Sequence, residues 1–190
     1  MKIAITGHCN GLGAAIYNKL TNYNRIANHS VVGFDIQNNY DIGQIHTISK
    51  VLYQTKDVDV FINNAYHSKG QTELLKHLLK FWAHKNKTII HIGTYLINHD
   101  IDPNWLPLHK EYVKIKKEQK LLIDNHRKND LALKIILINP GLMETEFLET
   151  MQVPKSQTLI DIFDCADMIV NTIDLLDKNI YIKELTLDNI

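Results

Sequence analysis

The chain has 190 residues, enough for one domain whose core needs no disulfide or metal staple. Lys plus Arg and Asp plus Glu number 21 each, so the formal net charge is zero, and the lysines are dispersed rather than gathered into a stripe; this argues against a nucleic-acid partner. No apolar run approaches the ~20 residues that span a bilayer, which argues against a membrane protein.

Short apolar runs alternate with longer segments of helical period. Lys2 to Thr6 reads as a strand and Leu12 to Asn22 as a helix, and Val31 to Asp35 followed by Ile42 to Thr55 repeats the pattern. Val58 to Asn63 is paired in the same way with Thr72 to His84, Thr88 to Gly93 with Lys110 to Arg127, and Ala132 to Asn139 with Ile160 to Leu176. Ile180 to Leu187 is the last strand run. All but the last run read as buried, as in a parallel sheet covered on both faces. Regular strand–helix alternation implies right-handed crossovers and a doubly wound α/β parallel sheet, with residues 1–190 as a single domain.

Two stretches lack a strong period: Tyr95 to His109 and Leu142 to Thr158. Both follow strand carboxyl ends, where such sheets bind ligands, and loops of ~15 residues in compact domains are often functional, so substrate contact is expected there. Cys9 and Cys165 make neither a disulfide framework nor a ligand spacing, and the ten histidines show no His-Glu-x-x-His or Cys/His cluster; no metal is expected. The first strand run begins at Lys2, with no signal peptide, so a soluble protein of the reducing cytoplasm is expected.

Four motifs carry chemistry. Thr6-Gly7-x-x-x-Gly11-x-Gly13 runs from a strand into a helix, where glycines permit a tight turn and backbone N–H groups can approach a pyrophosphate at the helix N-terminus. Asp35 ends the second strand run, where a carboxylate accepts hydrogen bonds from ribose hydroxyls and repels a 2′-phosphate; Gln37 and Asn38 follow it rather than a cation, so NAD(H) is favoured over NADP(H). Tyr112-x-x-x-Lys116 places a phenol and an ammonium on one helix face. A phenol is a poor base at neutral pH, and a nearby cation favours its phenolate. Of the eight tyrosines only Tyr112 has lysine four positions on. One such match is about what chance allows, so its weight comes from its neighbours, Asn63-Asn64-Ala65 and Pro140-Gly141-x-x-x-Thr145.

In that order the motifs resemble the short-chain dehydrogenase/reductase family over nearly the whole chain. The resemblance implies a Rossmann-type three-layer α/β/α domain. It also implies that a nicotinamide dinucleotide is held by Gly7, Asn10, Gly11, Leu12 and Gly13, by Asp35, Ile36, Asp41 and Ile42, and by Asn64, Ala65 and Tyr66. Tyr112, Lys116, Pro140, Gly141, Leu142 and Thr145 complete the implied set. Tyr66 stands where the family motif has glycine. Tyr112 is then the acid/base, Lys116 lowers its pKa and positions the ribose, and Thr94 takes the place of the family's serine in orienting the substrate oxygen. The chain is shortened between Asn64 and Thr94, where the family carries a relay asparagine; counting back from Thr94 lands on His67, followed by Gly70, so His67 is the expected replacement.

The expected activity is interconversion of a small-molecule alcohol and carbonyl with NAD(H), NADP(H) being the second choice. The alternatives are a non-catalytic dinucleotide-binding sensor or scaffold and a nucleotide-sugar reductase or epimerase. By the same resemblance Thr72 to His84 and Lys110 to Arg127 are helices that pair across a two-fold axis, and Leu74, Leu75, Leu78, Leu79, Phe81 and Trp82 give more apolar surface than one stripe requires, so a homodimer or homotetramer is expected.

Overall fold

The computed structural model describes residues 1–22, 29–145 and 158–188. In chain order its elements are β1 (Lys2–Thr6), α1 (Gly11–Asn22), β2 (Ser30–Phe34), α2 (Ile45–Gln54), β3 (Val60–Asn63) and α3 (Gly70–Phe81). They continue with β4 (Thr88–Ile92), α4 (Pro107–Asn129), β5 (Lys134–Pro140), α5 (Ile162–Asp177) and β6 (Glu184–Leu187). Each strand and helix expected from the sequence is present. The boundaries move most at β6, which starts at Glu184 rather than Ile180.

The strands form one all-parallel sheet in the order β2-β1-β3-β4-β5-β6. Successive strand residues point to opposite faces, and this divides the core in two. Ile3, Ile5, Ile62, Ile90 and Ile136 pack with α1 and α5, whereas Ala4, Phe61, Ile89 and Ile135 pack with α2, α3 and α4. This is a three-layer α/β/α fold. Local signals support the longer helices: Pro107 opens α4, and His126, Arg127 and Lys128 lie in its last turn, where cations suit the helix dipole. Asp161 caps α5 by accepting from the N–H groups of Phe163 and Asp164.

Two expectations need correction. β2 is not buried on both faces: Val32 is 38% exposed, and Ser30 is exposed as well. The segment after it forms a single 3-10 turn, Ile36–Asn38, and β2 is an edge strand of the sheet. The apolar surplus on the third helix also has another use. Leu74, Leu75, Leu78, Leu79 and Trp82 are all buried in the chain's own core, with Trp82 edge-on to Phe61, and Phe81 is partly buried against the same cluster. The surplus is therefore taken up within the chain, apart from the exposed part of Phe81. No described helix is long and apolar enough to cross a membrane.

Candidate active site

The chain runs from β1 outward to β2 and then returns to β3 on the other side of β1, so strand order reverses between β1 and β3. A crevice opens at such a reversal, beyond the strand carboxyl ends. Thr6 and Asn64 hold its two sides together. The Thr6 hydroxyl accepts from the N–H groups of Asn64 and Ala65, both at 3.1 Å. The Asn64 amide donates to the Thr6 carbonyl at 3.0 Å and to that of Gly7 at 3.4 Å. Gly7 has φ +72°, and a Cβ on Gly13 would lie 1.8 Å from the Gly7 oxygen, so the turn needs glycine at both positions. α1 begins at Gly11, directing its first backbone N–H groups toward the crevice.

Asp35 lies at the end of β2 and is buried. One carboxylate oxygen accepts from the Gln37 N–H at 3.0 Å, capping the 3-10 turn, and the other from the Cys9 N–H at 3.2 Å. The residue therefore ties β2 to the glycine turn while still lining the crevice. His8, Cys9 and Asp35 bring possible ligand atoms within 4.8 Å of one another, a grouping that the chain spacing concealed. Burial and the Asp35 carboxylate both push the Cys9 thiol up, which keeps it protonated and hydrogen-bonded to that carboxylate.

The expected catalytic residues meet at the other end. Thr94 lies just beyond β4 and caps the 3-10 turn Tyr95–Asn98, and its hydroxyl is hydrogen-bonded to the Tyr112 phenol and also accepts from the Leu96 N–H. Lys116, one turn along α4, is buried, with its Nζ 5.5 Å from the Tyr112 ring centre and 5.6 Å from that of Tyr66. The two tyrosine rings meet edge to face, 5.0 Å apart. Tyr66 is thus placed against the tyrosine–lysine pair. Burial pushes the Tyr112 phenol up; the Thr94 hydrogen bond opposes this, and Tyr66 adds to it. Burial lowers Lys116 to about 7.

Lys116 Nζ donates to Gln71 Oε1 at 2.7 Å and to the Ile92 carbonyl at 2.8 Å. His67 does not occupy this place. Its ring nitrogen lies 3.9 Å from the Asp41 carboxylate, and a Cβ on Gly43 would meet the ring at 2.4 Å. The physical reason is the start of α3 at Gly70: residue 71 is on the first helical turn facing the core, whereas residue 67 precedes the helix and turns toward Asp41. Gln71, Gln119 and His91 had no role in the sequence reading, and Asn63 entered it only as part of the Asn63-Asn64-Ala65 motif. A signal existed, since Gln71 shares the i, i+4, i+7 stripe of Leu75 and Leu78, and Gln119 shares that of Lys116 and Ile123.

These polar groups form one buried network. The Asn63 amide donates to His91 Nδ1 at 3.1 Å, so Nε2 carries the proton and donates to Gln119 Oε1 at 2.9 Å. Burial, reinforced by the Lys116 charge, lowers His91 to about 3, against the Gln119 hydrogen bond, which raises it. Folding thus holds fewer protons at His91 than the unfolded chain does between pH 3 and 6.5. The stabilisation is present above 6.5 and is lost as pH falls toward 3. Chemical denaturation should show wild type losing ~3 kcal/mol more than His91→Gln between pH 7 and pH 4. Parallel pH curves for the two proteins would refute this assignment.

One cavity of about 850 Å³ joins the two ends, and every site residue named from the sequence lines it, from Gly7 and Asp41 through Ala65 and Thr94 to Pro140 and Thr145. That volume lies in the range of cofactor and ligand clefts. Tyr95, Leu96, Trp105 and His109 add to its wall from the first flagged loop, and Leu142, Met143 and Glu144 from the second, whose residues 146–157 lie outside the described residues. The cradle of backbone N–H groups, the Asp35 carboxylate and the open length of the cavity fit a dinucleotide.

No protein-family model matches the chain, and no curated sequence matches it. Solved structures do. The chain is similar to a 3-alpha-hydroxysteroid dehydrogenase from Pseudomonas sp. B-0831 complexed with NADH, with TM-score 0.73 and 17% identity over 99% of this chain and 95% of that one. It is also similar to a short chain dehydrogenase from Burkholderia cenocepacia in complex with NADP, with TM-score 0.69 and 17% identity over 98% and 87% of the two chains. A dTDP-4-dehydrorhamnose reductase from Clostridium acetobutylicum matches with TM-score 0.65 and 20% identity, covering 99% of this chain but 73% of that one. The chain has the Rossmann-type fold of short-chain dehydrogenases and reductases.

Proposed function

We propose that this protein is a short-chain dehydrogenase/reductase that uses NAD(H) to interconvert an alcohol and a carbonyl compound. The observation that carries the reading is the hydrogen-bonded Thr94–Tyr112 pair beside the buried Lys116 ammonium, in the cavity shared with the glycine turn and Asp35. A bound dinucleotide supplies or accepts the hydride. In reduction, the Tyr112 phenol donates its proton to the carbonyl oxygen as hydride reaches the carbon; in oxidation the phenolate takes that proton back from the alcohol. Thr94 donates a hydrogen bond to the same oxygen, and Lys116 supplies the positive field that stabilises the phenolate. Pure dinucleotide binding does not require a phenol held beside the lysine, so catalysis is preferred over a sensor role.

Among the described lining residues Lys116 is the only lysine or arginine, and no cation accompanies Asp35. This supports NADH over NADPH. The two loops line the cavity with Tyr95, Leu96, Trp105, Leu142 and Met143 beside His109 and Glu144, which supports a carbonyl compound with a largely apolar body. The test is NADH consumption on a panel of aromatic and aliphatic ketones and aldehydes, beside thermal shifts with both cofactors. Turnover is expected with at least one apolar carbonyl, and NADH should reach a given stabilisation at about tenfold lower concentration than NADPH, since native-state binding stabilises according to ligand concentration over Kd. Absence of turnover across the panel, with NADH bound, would favour the sensor.

A further inference from the structure

We infer that Gln71 is a positioning residue that holds the Lys116 ammonium in place and keeps it charged, using an uncharged acceptor of fixed direction. Its relevance to Tyr112 rests on the proposed function; its action on Lys116 does not. Gln71 is wholly buried. Its Nε2 donates to the Asn63 carbonyl at 2.9 Å and the Ile92 carbonyl at 3.2 Å, while Oε1 accepts from Lys116 Nζ at 2.7 Å and from Gln119 Nε2 at 3.4 Å. Exchanging the amide's N and O would set its oxygen against two carbonyls and its N–H groups against two donors. Only one orientation satisfies the site.

The surroundings hold that orientation. The Asn63 amide donates to the Gln71 backbone carbonyl at 3.3 Å, so the two residues each bond the other's main chain. Gln119 is fixed in turn by His91 and by Thr72, at 2.9 Å each. Two of the three ammonium N–H groups are thereby committed, to Gln71 and to the Ile92 carbonyl, and the third is left for the cavity that Lys116 lines. The groups facing the ammonium are Tyr112 from α4, Tyr66 from the loop after β3, neutral His91 from β4 and uncharged Gln71 from α3. Glu111 bears on Tyr66, whereas the lowering of Lys116 comes from burial and not from a neighbouring charge. A carboxylate at position 71 would hold the cation equally well and cancel its field at the phenol. An amide holds it without cancelling it.

The test titrates Lys116 by NMR in isotopically labelled protein, its signal assigned by loss in Lys116→Met, beside pH profiles of kcat/KM. Gln71→Met keeps the shape and removes the acceptor, and should lower the Lys116 midpoint by about one unit or more; Gln71→Glu adds an opposite charge at contact and should raise it by a similar amount. The limb of kcat/KM that follows Lys116 should move with the midpoint, to lower pH in Gln71→Met and to higher pH in Gln71→Glu. Gln119→Met disturbs the same network without removing the Lys116 acceptor, and should lower the melting temperature with the midpoint unmoved. If Gln71→Met and Gln71→Glu do not fold, Gln71→Asn, one methylene shorter, decides by the same titration and should lower the midpoint. A midpoint unchanged in the folded variants overturns the inference, as does an equal shift in Gln119→Met. If wild type turns over no carbonyl, the proposed function fails while the NMR titration still decides the role of Gln71.

Discussion

Tyr112→Phe is expected to lower kcat by about a thousandfold and to leave NADH affinity within about threefold of wild type, in keeping with loss of a positioned proton donor. The substitution removes one hydroxyl. The ring retains its edge-to-face contact with Tyr66, and the Thr94 hydroxyl keeps the Leu96 N–H as a partner, so the cavity wall should survive. Lys116 remains tied to Gln71 and the Ile92 carbonyl. Steady-state kinetics beside NADH titration separates the readings. Residual activity above about a tenth of wild type would assign the proton to another group, because general acid–base catalysis contributes 10²–10⁴-fold. Loss of NADH binding would instead make the hydroxyl a cofactor contact.

Gly13→Ala should have the largest effect on the fold and cofactor site together: a loss of about 3 kcal/mol or more in stability, from a clash the close-packed turn cannot relax. The added Cβ would sit 1.8 Å from the Gly7 oxygen and 2.6 Å from Asn64 Nδ2. Neither neighbour can retreat cheaply. Gly7 is held by its N–H bond to the Phe34 carbonyl at 2.8 Å and by its positive φ, and Asn64 is committed to the Thr6 carbonyl. Opening the turn would also displace the N–H groups that face the cavity, so NADH affinity should fall at least about tenfold with the loss of such donors. Gly11→Ala is the contrasting case. Its Cβ would meet only Thr145 Cγ2, at 3.7 Å, leaving the strain of φ +52° as the main penalty, ~1 kcal/mol. Melting curves for the two variants within about 2 °C of each other would refute the clash argument.

Much of this architecture could be read along the chain because its causes are local. A short apolar run, Thr-Ile-Ile-His-Ile, distinguished β4 from the longer period-3.6 pattern of α4, and the strand-to-helix glycine turn marks its own φ and approach requirements. The edge position of β2 was missed because it depends on what lies beside the strand, and nothing in Ser-Val-Val-Gly-Phe states that a neighbour is missing. The third helix was misjudged for a related reason: its leucines show how much apolar surface exists, while α2, α4 and the sheet decide how much is covered.

The sequence by itself determined the order of strands and helices, the glycine turn, and the pairing of Tyr112 with Lys116 four residues on, because each follows from neighbours within a few positions. Only the tertiary structure decided what holds Lys116. Gln71 is 45 residues away, on a helix whose start at Gly70 sets which side chain first faces inward, so that Gln71 rather than His67 lies against the ammonium. A contact across two layers depends on where elements begin and how they pack, and no local period records it.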